Sequence, residues 1–211
     1  MDKAQILKVL KELREKSPKK KFSQSVDLLI NFKNLDLKKP DHKVDLFLQL
    51  PHSTGKKKKV CALIDAQLAV KSKEACDTTI VKLDFDGWKN AKKEQKKLAL
   101  EHDFFIAQVD VMAQAAAVFG KVLGSRGKMP NPKAGCVVPG NILSLEPIVK
   151  KLQNTIRLQT KNELSVKTTI GSESMSDENL AENILFIYNN VISKLPQEKN
   201  NLKYLAIKLT M

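Results

Sequence analysis

The spacing of hydrophobic positions changes several times along this chain, and each change marks an element. Over residues 2–16 apolar residues fall at helical spacing, with Ile6, Val9 or Leu10, and Leu13 on one stripe and lysines around the rest. Pro18 stops that helix. From Phe22 the period becomes two. Phe22, Gln24, Val26, Leu28, Ile30 and Phe32 face one way, and Ser23, Ser25, Asp27, Leu29 and Asn31 the other, as in a strand with one buried face. Residues 44–50 repeat the alternation beyond a turn containing Pro40, so the two strands are expected to pair as an antiparallel ribbon.

After residues 51–55 and the four-lysine run 56–59, the style shifts. Residues 60–64 are apolar throughout, as in a strand covered on both faces of a parallel sheet. Helix and strand then alternate: helix 66–75, strand 78–81, lysine-rich helix 88–102, strand 104–107 and Ala-rich helix 110–123. Beyond Gly140 the first style returns. The pattern predicts a helix within 141–154 entered through Pro147, and strands 156–159 and 164–170 joined by a turn at Lys161–Asn162. Ser176 then caps a long helix carrying Leu180, Ile184, Ile187, Val191, Ile192 and Leu195, which Pro196 ends. A last alternating strand covers 202–211.

These elements predict a discontinuous α+β terminal domain, an antiparallel sheet with helices, formed by residues 1–56 and 140–211. An inserted α/β domain, Rossmann-like and three-layered, occupies 57–139. Two chain crossings, near Gly55 and near Gly140, form the expected hinge between the two domains.

Residues 123–139, LGSRGKMPNPKAGCVVP, break the periodicity. With Gly120 the stretch holds four of the eight glycines, and it holds three of the eight prolines, with Arg126, Lys128 and Lys133 between them. Such content predicts a long, shaped, basic loop.

Charge then narrows the function. Lys and Arg number 37 against 23 Asp and Glu, a net charge of +14, with a pI near 9.6. That excess suits a polyanion partner. Aromatics are 5% of residues with a single Trp, too few for a platform on which bases stack. No apolar run is long enough for a membrane span, and the first helix is too charged for a secretory signal. Cys61, Cys76 and Cys136 stand far apart and odd in number, which fits reduced cytoplasmic thiols rather than a disulfide framework or zinc.

Enzymatic readings find little purchase. GSRGK at 124–128 follows a helix rather than a strand, and Met129 stands where a phosphate loop needs Ser or Thr. Asp65, Asp103 and Asp110 flank the short parallel strands, where α/β enzymes place reactive groups. Helix capping explains them more simply. His42, His52 and His102 form no ligand pair, and no metal or cofactor is expected. An RNA-processing enzyme with a carboxylate site at these strand ends remains the alternative, and a basic assembly protein with no discrete RNA site is a third reading.

The lysines carry the stronger signal. Lys92, Lys93, Lys96 and Lys97 sit at helical spacing and read as a solvated face. The run 19–21 differs, because it leads into a strand whose outward side, Ser23 and Ser25, offers hydroxyls to phosphate or ribose. Lys208 and Thr210 offer a similar row on the last strand. If the first and last strands are neighbours, one basic, hydroxyl-bearing patch results.

Several stretches resemble the universal large-subunit ribosomal protein L-one family in its archaeal form. LGSRGKMPNPKAG resembles the family signature, KKKFSQSVDLLINF its first RNA-facing strand, LQLPHSTGK the entry to its inserted domain, and IKLTM the start of its Thr-Met-Gly motif. HDFFIAQVDVM has the archaeal style. Two departures stand out: the sequence stops at Met211, before the motif's glycine, and Ser125 replaces the usual Pro.

The resemblance implies a non-catalytic structural constituent of the large subunit, placed on the mobile stalk beside the tRNA exit site in the cytoplasm. It implies binding of stalk rRNA, help in releasing deacylated tRNA, and repression of the protein's own mRNA, by a chain that is monomeric outside the ribosome. Carried over by position, Lys20, Lys21, Phe22, Ser25, Lys167, Thr210 and Met211 are the expected RNA contacts. His52, Lys56, Arg126 and Lys128 are expected as secondary contacts.

Overall fold

The computed structural model describes residues 2–18 and 20–210, the side chain of Pro40 excepted. Its contacts divide into two compact units. One spans Met1–Lys56 with Asn154–Met211, the other Lys57–Gln153.

The first unit is built on helix α1 (Lys3–Lys16), strands β1 (Ser25–Phe32) and β2 (Asp45–Gln49), and the C-terminal elements of the chain. The short parallel strands and their helices form the second unit: β3 (Val60–Ile64), α2 (Ala69–Ala75), β4 (Thr78–Val81), α3 (Phe85–Asn90), α4 (Lys92–Glu101), β5 (Phe104–Gln108), α5 (Met112–Ser125), β6 (Val137–Val138) and α6 (Glu146–Asn154), whose last residue lies across the division. The chain returns to the first unit through β7 (Thr155–Gln159), β8 (Ser165–Ser172), α7 (Asp177–Ile192) and β9 (Leu202–Leu209).

In the first unit β1 is the central strand of an antiparallel sheet ordered β8-β1-β9. The period-two pattern sets its register. Val26, Leu28, Ile30 and Phe32 are buried together with Val166 and Ile170 of β8 and Leu209 of β9. Against this face pack the stripe of α7 (Leu180, Ile184, Ile187, Val191) and Ile6 and Leu10 of α1. The first and last strands are therefore neighbours, with Asp27 opposite Lys208. The expected ribbon of β1 with β2 does not form. Both edges of β1 are taken by β8 and β9, and β2 pairs antiparallel with β7, Asp45 opposite Gln159 through Gln49 opposite Thr155.

Polar side chains fix the remaining joints of this unit. Arg14 donates to Asp177 at 2.8 Å and to the carbonyls of Glu173 and Met175 at 2.7 and 2.8 Å, tying the end of α1 to the turn before α7. Ser176 caps α7 by accepting the Asn179 N–H. Asn183, fully buried on α7, exchanges hydrogen bonds with the backbone of His52 and donates to the Ile170 carbonyl. Gly171 allows α7 to approach β8 closely: a Cβ there would stand 2.5 Å from Leu180 Cδ2 and 2.7 Å from Met175 Sδ.

The second unit centres on a parallel sheet ordered β4-β3-β5-β6. Every residue of β3 is buried, as an all-apolar central strand requires. Cys61, Leu63, Phe105 and Ala107 point to a core with Phe85, Leu98, Ala115, Phe119 and Leu123 from α3, α4 and α5. Val60, Ala62, Ile64 and Ile106 point to an opposite core with Leu68, Cys76, Leu145 and Leu152. Helices thus cover both faces.

Three expectations change here. The boundary at Gly140 moves to Gln153, because Leu145 and Leu152, with Ile148 and Val149 beside them, pack against the parallel sheet. Helical spacing shows that these residues are buried but not which sheet buries them. The helix expected over 88–102 is broken at Ala91, where the buried Gln95 side chain takes the Trp88 carbonyl at 2.6 Å. The basic stretch 123–139, expected as one long shaped loop, contains regular elements at both ends. α5 runs to Ser125, Gly127 and Gly135 adopt positive φ, Asn131 caps a short 3-10 turn, and β6 joins the sheet beside β5.

Candidate nucleic-acid interface

A strand with one buried face presents its alternate residues on the other. On the outer face of β8-β1-β9, register aligns Thr169, Asp27 and Lys208 in one row and Lys167, Leu29 and Ala206 in the next. A shallow groove of ≈ 480 Å³ runs over this face, lined by Asp27, Leu29, Lys167, Thr168, Thr169 and Lys208. A second, of ≈ 420 Å³, is lined by Gln159, Lys161, Asn162, Glu163, Ser165 and Lys167, so Lys167 borders both.

Two carboxylates sit among these cations. Asp27 accepts the Thr169 hydroxyl at 2.8 Å, and Glu163 accepts Lys167 at 2.9 Å and Ser165 at 3.1 Å. The Lys167 and Ser165 hydrogen bonds hold Glu163 below the usual carboxylate range, so it stays an acceptor. A face with cations and carboxylate acceptors side by side can take phosphate at the first and a ribose hydroxyl or base amine at the second.

Residues 20–24 enter β1 without regular structure. Lys20, Lys21 and Phe22 are exposed, Phe22 at 51%, so this ring is not on the buried face where alternation put it. Strand pairing begins at Ser25, three residues later. Ser25 itself is buried, and its carbonyl accepts both the Thr210 N–H and the Thr210 hydroxyl at 3.1 Å. Of the hydroxyls expected to face a ligand, Ser25 is buried and Thr210 donates to its carbonyl, while Ser23 is exposed. Ser23 belongs to an exposed set: Ser23 Oγ and Ser172 Oγ lie 2.7 Å apart, and Ser172 Oγ and Ser174 Oγ 3.0 Å apart. Ser172 and Ser174 had no periodic signal of their own, since a turn brings them to Ser23. Met211 and Lys19 lie outside the described residues.

The secondary residues divide. Lys56 and Arg126 are exposed. His52 is held by Glu182 at 2.7 Å, and Glu182 also takes Lys3 at 2.8 Å; these hydrogen bonds bring the carboxyl down to about 2. Lys128 is engaged within the fold. Its ammonium donates to the carbonyls of Ala99 and His102, at 3.0 and 2.6 Å, and so closes the C-terminal end of α4. Burial lowers its pKa, and neighbouring Arg126 adds to that.

The three aspartates do not gather: Gln108 bridges the Asp65 N–H and the Asp110 carboxylate at the ends of β3 and β5, but Asp103 lies at the other end of β5. Asp103 precedes β5 and Asp110 follows it, so the strand separates them by about 17–20 Å at 3.3 Å per residue. Asp65 caps the turn after β3 by accepting the Ala66 N–H, Asp103 accepts the Lys59 N–H, and Asp110 accepts from Gln108. Among the described residues no group of three or more His, Cys, Asp or Glu could hold a metal ion. The three-carboxylate site on which the enzyme reading rested is not assembled.

The arrangement sets cations and carboxylate acceptors on one open face. Residues 11–211 match the model of the Ribosomal protein L1p/L10e family. The chain belongs to that family. Among its relatives, the large ribosomal subunit protein uL1 of Methanothermobacter thermautotrophicus is 37% identical over 208 residues, covering 98% of this chain and 95% of the relative. The uL1 protein of Methanothermococcus thermolithotrophicus is 40% identical over 211 residues, covering 100% and 96%. That of Pyrococcus abyssi is 36% identical over 210 residues, covering 100% and 94%. Membership of the L1p/L10e family gives the chain a ribosomal structural role and accords with the archaeal resemblance of its motifs. No helix among the described residues is long and apolar enough to cross a membrane.

Proposed function

We propose that the chain is a non-catalytic constituent of the large ribosomal subunit that binds stalk rRNA through the outer face of β8-β1-β9. The observation that carries this reading is the pairing of β1 with both β8 and β9, which sets Lys167 and Lys208 on one open groove with Asp27 and Thr169. Lys20, Lys21 and the exposed Phe22 extend that surface at the entry to β1. Lysines supply phosphate contacts, so affinity falls steeply with salt. Asp27, Glu163 and the Ser23–Ser172–Ser174 hydroxyls read ribose 2′-OH groups and base edges, which gives preference for one RNA shape. The relatives' names, large ribosomal subunit protein, support the same placement.

On this reading the protein sits beside the tRNA exit site and assists release of deacylated tRNA. It represses its own mRNA through an RNA fold like that of the stalk, and it is a cytoplasmic monomer when free of the ribosome. The test is binding of the full chain to a stalk rRNA fragment and to a scrambled duplex of equal length across a salt series. Tighter binding to the stalk fragment by at least about 1000-fold at physiological salt is expected, with both affinities falling as salt rises. Equal affinity for the two RNAs defeats the proposal.

A further inference from the structure

The lysine-rich helix of the second unit has two sides that the sequence does not separate. On one, Lys97 pairs with Glu101 one turn on, at 3.9 Å, as a solvated helix face does. On the other, Lys92 and Lys96 of α4 line a groove of ≈ 600 Å³ together with Lys89 at the end of α3, Lys121 of α5 and Arg126 just beyond it. Lys89 is matched by Asp86 at 2.6 Å. Lys92, Lys96, Lys121 and Arg126 have no carboxylate partner among the described residues, and no carboxylate lines the groove. Four unmatched cations from two helices and the turn after them therefore converge on one concave surface, where they repel one another until an anion enters.

The floor decides what kind of anion. It is formed by Ala117, Val118 and Val122, with the buried Gln95 between the lysines. No aromatic or large aliphatic side chain lines it, so it lacks both a stacking surface for bases and the apolar anchors that hold a partner protein's helix. Lys92 and Lys96 lie one helical turn apart and face Lys121 across the groove. That spread matches a chain of successive charges better than a single small ion.

We propose that this groove between α4 and α5 is a second RNA site, which holds backbone phosphates without reading sequence. It rests on the rRNA-binding reading above and adds an electrostatic contact on the α/β unit, separate from the sheet face that supplies preference. The experiment uses the full chain with Lys92→Gln, Lys96→Gln and Lys121→Gln combined, against a control of equal charge change, Lys71→Gln, Lys93→Gln and Lys97→Gln. Affinity for the scrambled duplex and for the stalk rRNA fragment is measured across a salt series. Trp88 fluorescence melts show that both variants are folded.

The groove variant is expected to flatten the log K against log salt slope for the scrambled duplex by about 2–3 units. It should weaken binding about 10–100-fold at low salt and leave the ratio of stalk to scrambled affinity nearly unchanged. The control changes the slope by less than about one unit. Equal slopes in the two variants overturn the groove as a site while leaving the sheet-face reading intact, whereas loss of stalk preference in the unsubstituted chain defeats that reading first. Competition by inorganic phosphate beyond its effect on ionic strength assigns the groove to a free anion and overturns the RNA site.

Discussion

Replacing Phe119 with alanine is expected to lower the stability of the α/β unit by about 3–5 kcal/mol. Phe119 is 1% exposed on α5 and meets the Phe85 ring edge-on, with centroids 5.5 Å apart. The single Trp of the chain, Trp88, lies 5.7 Å from the same ring. The phenyl group thus joins α3 to α5 over one face of the parallel sheet. Its loss combines the transfer free energy of the ring, the residual cavity and the aromatic pair terms. Trp88 fluorescence and circular dichroism followed through urea unfolding measure the change, and a drop below about 1 kcal/mol contradicts the packing described.

The largest expected effect on binding comes from Lys167→Glu combined with Lys208→Glu. The two lysines stand on β8 and β9 and border the same groove on either side of β1. Each charge-assisted contact contributes about 1.5–3 kcal/mol, and each reversal also sets a carboxylate against phosphate. Affinity for the stalk fragment is expected to fall at least about 100-fold, which corresponds to about 2.7 kcal/mol. The fold should hold, because both side chains are exposed. Glu163 loses its Lys167 partner in this variant, so Lys208→Glu alone serves as the cleaner comparison. Binding of the double variant within threefold of the unsubstituted chain would remove the sheet face from the account.

Much of the fold was legible because burial imposes periodicity. The α7 stripe, the alternation along β1 and β9, and the wholly apolar β3 each follow from one face, or both, meeting a core. What the pattern lacks is partner identity. Period two says that β2 has an inner face but not that β7 rather than β1 lies beside it. Leu145 and Leu152 announce burial without naming the sheet, which is why the second boundary was expected at Gly140 rather than Gln153.

The site divides in the same way. Lys208 was expected on the outward row of the last strand and is exposed there, since charge on an alternating strand faces out, whereas Lys167, exposed on β8, was expected only from the family resemblance. Ser25 is buried instead, and the exposed Thr210 gives its hydroxyl to the Ser25 carbonyl, because a hydroxyl near a strand end is as easily spent on a neighbouring carbonyl as on a ligand. Lys128 looked like a surface cation in a basic stretch, and only the approach of α4 gives its ammonium two carbonyls to bind. The converse holds for Lys92 and Lys96, which read as a solvated face until α5 closes a groove beside them.

The central claim is that rRNA meets the outer face of β8-β1-β9, and ultraviolet cross-linking of the full chain to a stalk rRNA fragment, mapped by mass spectrometry, tests it most directly. The account predicts cross-links at Phe22, whose ring is 51% exposed, and at peptides containing Lys167 and Lys208, with weaker ones near Lys92 and Lys121. Cross-links confined to the α/β unit, with none on β1, β8, β9 or the segment entering β1, would contradict it.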